Sequence, residues 1–134
     1  MRRTVNKIIL HCSATKEGQN FTTTDIECWH KKRGFAKIGY HFVIYLDGSV
    51  HNGRDISEIG AHVTGQNANS IGICYIGGLD AKGKAKDTRT DAQKAALKTL
   101  VNDLLAKFPS ATIHGHNEFA NKACPCFDVK KEFS

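Results

Sequence analysis

The residues best suited to chemistry lie near the end of the chain, in His114-Gly115-His116-Asn117-Glu118-Phe119-Ala120-Asn121-Lys122-Ala123-Cys124-Pro125-Cys126-Phe127-Asp128. Two imidazoles, a lysine and two thiols crowd a stretch too rich in polar and turn-forming residues to be plain core. Imidazole and thiolate bind a borderline-soft metal such as zinc, and an ammonium beside the metal stabilises an anion. One further donor, His11, ends an apolar run at the other end of the chain. A metal site requires those two ends to meet.

A catalytic zinc takes three protein ligands and keeps a fourth position open, whereas a structural zinc is closed by four. The donors available are His11, His114, His116, Cys124 and Cys126. On an extended segment His114 and His116 face the same way, which makes the pair attractive. Their spacing matches no zinc finger, ribbon or helical HExxH site, so spacing alone leaves the choice among the five open. His11-Cys12 is a rival as a base and thiol nucleophile. Adjacent strand residues point to opposite faces, which places that pair badly. Cys28 and Cys74, in a helix and an apolar strand, read as small buried hydrophobes.

These residues need elements to carry them. Residues 6–11 read as a short buried strand ending at His11. Thr24-Asp25-Ile26-Glu27 reads as a capping box opening a helix to about Arg33, which Gly34 closes. Residues 40–46 are rich in β-formers, Asp47-Gly48 is a two-residue hairpin signal, and residues 49–51 return as the partner strand. Residues 70–76 form another apolar strand before Gly77-Gly78, and a polar loop runs from Asp80 to Asp87. Thr90-Asp91-Ala92-Gln93 is a second capping box. After it Leu97, Leu100, Val101, Leu104, Leu105 and Phe108 make a helical stripe that Pro109 stops. Residues 111–114 are a last short strand. The order β, α, β-hairpin, β, α, β predicts an α/β fold: a single domain over residues 1–134 with a central mixed β-sheet flanked by α-helices.

The 134 residues suffice for one core without staples, and no stretch approaches the roughly 20 apolar residues of a membrane span. The basic then apolar start reads as a strand and not a signal peptide, since its apolar part is short and meets no cleavage site. Lys plus Arg number 19 against 13 Asp plus Glu, a net charge of +6 that suits an anionic partner. There is no long basic run and no interleaving of aromatics with Lys or Arg, which argues against nucleic acid. Five cysteines without an export signal favour reduced thiols or metal ligation over a disulfide framework.

Several blocks then occur in a telling order: Ile8-Ile9-Leu10-His11-Cys12-Ser13-Ala14-Thr15, Gly39-Tyr40-His41-Phe42-Val43-Ile44, Gly48-Ser49-Val50, Gly53-Arg54-Asp55, Gly60-Ala61-His62, Asn69-Ser70-Ile71-Gly72-Ile73, Gly77-Gly78, and Lys122-Ala123-Cys124-Pro125 with Phe127-Asp128. From about residue 6 to 131 the chain resembles the type 2 zinc N-acetylmuramoyl-L-alanine amidases. Within them it is most similar to the short phage lysozymes that are amidases, with the peptidoglycan recognition proteins as relatives.

The resemblance implies one Zn²⁺ ion in a surface groove, held by His11, His116 and Cys124. It implies Tyr40 and Lys122 as catalytic residues and His62 as a substrate-groove residue. Cys126 stands where relatives carry a small residue; a thiol there could compete for the metal or bridge to Cys124. His114 becomes a bystander. The implied activity is hydrolysis of the amide between N-acetylmuramic acid and L-alanine in bacterial peptidoglycan, by an endolysin of phage or prophage type. With no export signal read in the sequence, the expected setting is a monomer without membrane insertion, cytoplasmic until released by another factor and then acting on the cell wall. An injected antibacterial effector is the alternative to a lysis enzyme. Rival readings are a catalytically inactive peptidoglycan-binding module and a regulator that binds another protein.

Overall fold

The computed structural model describes residues 4–133. Its centre is a five-stranded sheet in the order β4-β3-β5-β1-β7, built from β1 (Lys7–Cys12), β3 (Phe42–Ile44), β4 (Val50–Asn52), β5 (Ser70–Tyr75) and β7 (Thr112–Gly115). β1 runs parallel to both β5 and β7, β3 runs parallel to β5, and only β4 is antiparallel. Parallel strands are covered on both faces, which explains why β5 is buried at every residue and reads as a nearly continuous apolar run. The expected mixed sheet is present.

Alternation along β1 assigns its two faces. Ile8, Leu10 and Cys12 join Ile71, Ile73 and Tyr75 of β5 in a core completed by Leu97, Val101 and Leu104 of α2 (Asp91–Lys107). Ile9 and His11 point the other way. On that side Ile26 of α1 (Thr23–Lys32) packs with Ile38, Val43 and Ile76. The helical stripe therefore covers one face, as its period predicts. Thr90 and Gln93 cap α2 reciprocally. The Gln93 amide also donates to the Ile76 and Ile44 carbonyls, tying the helix start to the ends of β5 and β3.

Four expectations change. Helix α1 is capped by Thr22 and Asp25 rather than by Thr24 and Glu27; three successive threonines offer equivalent caps, and the Asp25 carboxylate selects the first. β3 covers only Phe42–Ile44 of the expected 40–46, because Ile44 pairs directly with Val50 and residues 45–49 form the connection. The Asp47 carboxylate accepts from the Ser49 N–H and hydroxyl inside that loop, while Gly48 lies against α2, where a Cβ would come within 2.8 Å of the Ala92 carbonyl oxygen. Cys28 is exposed, on the solvent side of α1, instead of buried. A small sheet of β2 (Thr15–Lys16) and β6 (Gly78–Leu79) and a short helix α3 (Val129–Glu132) had no periodicity long enough to announce them.

No described helix is long and apolar enough to cross a membrane. The C-terminal segment is clamped by Arg89, whose buried guanidinium grips both Glu132 oxygens at 2.6 Å and both Asp87 oxygens at 2.9 and 3.0 Å. It also lies 3.4 Å above the Phe127 ring. Burial opposes its charge, but these hydrogen bonds outweigh burial and hold the guanidinium protonated. Arg89 thus fastens the segment after Cys124 to the loop before α2, a role the sequence did not signal.

Candidate metal centre in the groove

β7 lies beside β1 with Leu10 opposite Gly115, so the next residues, His11 and His116, meet across the strand ends. Their Nδ1 atoms are 3.2 Å apart. The chain then turns back over Gly115, where a Cβ would come within 3.0 Å of Pro125 Cδ. That close approach brings Cys124 to the pair: its Sγ is 3.9 Å from His11 Nδ1 and accepts from the Cys12 N–H at 3.2 Å. One donor atom from each of His11, His116 and Cys124 fits within 4.8 Å. The two ends of the chain do meet.

The donor set fits zinc. Tetrahedral zinc with ordinary Zn–N and Zn–S bonds separates two nitrogens by about 3.3 Å and a nitrogen from a sulfur by about 3.6 Å, close to the 3.2 and 3.9 Å found here. Two lone pairs facing one another at 3.2 Å repel unless a proton or a cation lies between them. Burial and then the neighbouring His62, His116 and Lys122 charges push the His11 imidazolium well below its ordinary range. Burial and Lys122 lower that of His116. Both rings are therefore neutral near pH 7, the form that binds metal.

The cluster lies in a groove of about 560 Å³. His116, Cys124, Lys122, Tyr40 and His62 line it, with His30 and Arg33 of the α1 end on its wall. His11 lies beneath at 1% exposure. The Tyr40 ring is tilted 5.0 Å from that of His11, and burial raises its phenol well above the usual range, so it keeps its proton. His62 Nδ1 is 2.8 Å from His11 Nε2.

His30 and Arg33 were not anticipated, since a helix surface pattern does not say which neighbour covers it. The His30 Nδ1 accepts from the Gly39 N–H at 2.8 Å, and burial followed by the Arg33 and Arg54 charges lowers its pKa to about 4.

The other early candidates fall outside the cluster. β7 ends at Gly115 and a turn of 3₁₀ helix begins at His116, so the extended geometry that would align His114 with His116 stops between them. His114 instead contacts Thr112 Oγ1 at 2.6 Å and Glu118 Oε1 at 2.9 Å. Cys126 turns to the opposite side of the loop, where its thiol donates to the Gly78 carbonyl at 3.3 Å and lies 3.9 Å from Cys12 Sγ. Burial, then Cys12, pushes its pKa up to about 12, which leaves it a protonated thiol and a poor competitor for metal. Cys12 points into the α2 core and His11 into the groove, as the alternation of a strand requires.

The sequence profile of the N-acetylmuramoyl-L-alanine amidase family matches residues 1–127. The chain belongs to that family. Among relatives of this amidase, the endolysin of Escherichia phage T7 is 47% identical over 130 residues, covering 97% of this chain and 86% of the phage protein. The N-acetylmuramoyl-L-alanine amidase LysC from Clostridium intestinale superimposes with a TM-score of 0.82 at 28% identity, over 98% of this chain and 83% of its own. A mutant of Drosophila PGRP-LB in complex with tracheal cytotoxin gives a TM-score of 0.83 at 26% identity, over 100% and 82%. The amidase fold inferred from the ordered blocks is the one the chain adopts.

Proposed function

We propose that the groove is the active site of a peptidoglycan amidase, with one Zn²⁺ held by His11, His116 and Cys124, and Tyr40 and Lys122 assisting. The observation that carries this reading is the meeting of three metal-binding side chains from opposite ends of the chain within 4.8 Å, in a member of the amidase family with a phage endolysin at 47% identity. The substrate is bacterial peptidoglycan, and the bond cleaved is the amide between N-acetylmuramic acid and L-alanine. When bound, the ion polarises a carbonyl and lowers the pKa of water at its open position toward neutrality.

The chain's own residues do the rest. Two neutral imidazoles and one thiolate leave a site with a net charge of about +1, and the Cys12 N–H stabilises the thiolate. Tyr40, held as a phenol by burial, donates a hydrogen bond in the groove and orients the attacking group. Lys122 presents its ammonium to the oxygen that becomes negative as the carbonyl is attacked, a contribution of about 3–4 kcal/mol when such a donor is well aimed. The net charge of +6 attracts the protein to the free carboxylates of the cell wall.

We further propose that the protein acts as a monomer and stays in the cytoplasm until another lysis factor gives it access to the wall. An inactive binding module would not need Tyr40 and Lys122 beside a full donor set, which favours the enzyme. The reaction is tested by digesting purified peptidoglycan. New N-terminal alanine without new reducing sugar ends is the expected product pattern; new reducing ends without alanine would contradict it.

A further inference from the structure

We propose that His62 is a positioning residue that fixes His11 as a metal ligand, through a directed hydrogen-bond chain running from His11 to His62 to Ser70. This rests on the reading of His11 as a ligand.

His11 turns Nδ1 toward His116 and Cys124. Its other nitrogen, Nε2, is 2.8 Å from His62 Nδ1. A neutral imidazole that offers its Nδ1 lone pair to a cation carries its proton on Nε2. The Nε2–H of His11 then donates to His62, which must accept at Nδ1 and hold its own proton on Nε2. That second proton points to Ser70 Oγ at 3.2 Å, and Ser70 is completely buried at the start of β5. One tautomer of each ring satisfies the whole chain.

The surroundings are shaped for the His62 ring. A Cβ on Gly72 would lie 2.8 Å from its Cγ and Cδ2, and a Cβ on Gly60 would lie 2.8 Å from its Cδ2. Two backbone segments, β5 at Gly72 and the loop at Gly60, come this close to the imidazole because neither position carries a Cβ. From below, the Asn67 side chain accepts from the His62 and Val63 N–H groups at 2.9 Å each, which pins the loop. His41 stands edge-on to the ring and accepts from the Gly72 N–H at 3.0 Å. A side chain that only brushed substrate from the groove wall would need no such slot. A hydrogen-bond acceptor behind a metal-binding histidine sets its tautomer and ring angle and raises its basicity, and losing one typically costs 10–100-fold in metal affinity.

The test compares zinc affinity, by competition with a chromophoric chelator, in the wild type, His62→Phe and His62→Asn. Phe keeps a flat aromatic ring, slightly larger than imidazole, without the acceptor; Asn restores an acceptor near the Nδ1 position. The expected result is a 10–100-fold loss of affinity for Phe, recovery of most of it for Asn, and an altered visible spectrum of the cobalt-loaded Phe variant. Wild-type zinc affinity in the Phe variant with only KM raised would overturn the inference and make His62 a substrate contact; equal loss in both variants would overturn it as well. Should the Phe variant not fold, imidazole ¹⁵N spectra of the zinc-loaded wild type decide: protons on Nε2 of both His11 and His62 support the chain, and a proton on His62 Nδ1 contradicts it. A wild type that binds no zinc at all would instead sink the ligand reading itself.

Discussion

His11, near the end of β1, and His116, the residue that follows β7, come together because Leu10 and Gly115 are in register on two adjacent parallel strands; their Nδ1 atoms lie 3.2 Å apart although 105 residues separate them. The sheet itself, through the pairing of β1 with β7, sets the spacing of the two nitrogen donors. Cys124 depends on something less rigid: a loop that folds tightly over Gly115.

That dependence makes Gly115 sensitive. Replacing it with alanine pushes a methyl toward Pro125 Cδ, 3.0 Å away, and Val129 Cγ2, 3.1 Å away. Overpacking of this kind costs about 1–3 kcal/mol. Because the strain falls beside Cys124, Gly115→Ala is expected to weaken zinc binding by about tenfold, read by chelator competition, alongside a lower thermal midpoint. Unchanged affinity would show that the loop adjusts without moving the thiol.

Arg89→Met removes the clamp while keeping some of the packing on Phe127. The partner carboxylates are a third or more exposed, so the loss falls below that of a fully buried pair, about 2–3 kcal/mol. Urea unfolding measures it. Specific activity per folded molecule should stay close to wild type, because Arg89 touches no groove residue named above.

The stability of the zinc-free protein should fall with acid in a definite window. His30 has its pKa lowered from 6.5 to about 4 in the folded state, and those of His11 and His116 are lowered too. The unfolded chain therefore binds more protons between about pH 6.5 and 4, and stability present above that window is lost as the pH drops through it. Urea midpoints of the apoprotein from pH 7.5 to 4.5 should decline, and less steeply in His30→Gln. A flat profile would contradict the assignment of these rings as neutral.

Lys122→Ala separates binding of metal from catalysis. Zinc content should be retained, since the ammonium donates nothing to the ion, while kcat falls by about 10²–10³-fold. Measured by alanine release from peptidoglycan, a variant with kcat within twofold of wild type would remove Lys122 from the mechanism. Cys126→Ser is the matching control: a hydroxyl can keep the bond to the Gly78 carbonyl, and zinc content and activity should not change.

Much of this was legible in the sequence because the signals were periodic or contiguous. The apolar runs of β1 and β5, the stripe from Leu97 to Phe108 and the Thr90 capping box each carry their own pattern. His11, His116 and Cys124 became readable as a set only through the ordered blocks around them, since nothing in their spacing reveals that β1 and β7 pair. Where a strand stops was the weak point. The end of β7 at Gly115 decides that His116 and not His114 faces His11, and no residue type there announces it. The contact of His62 with His11 spans 51 residues and rests on two glycines whose role appears only once their backbones are seen against the imidazole. Cys28 was misplaced because residue type alone suggests core, whereas a position two residues from the buried Ile26 falls off the buried stripe of α1.

The most direct test is the metal content and peptidoglycan amidase activity of wild type and Cys124→Ala, purified without chelators. One zinc per wild-type chain, with metal and alanine release both abolished in the variant, is the predicted result. A Cys124→Ala protein that keeps full zinc content or full activity would contradict it.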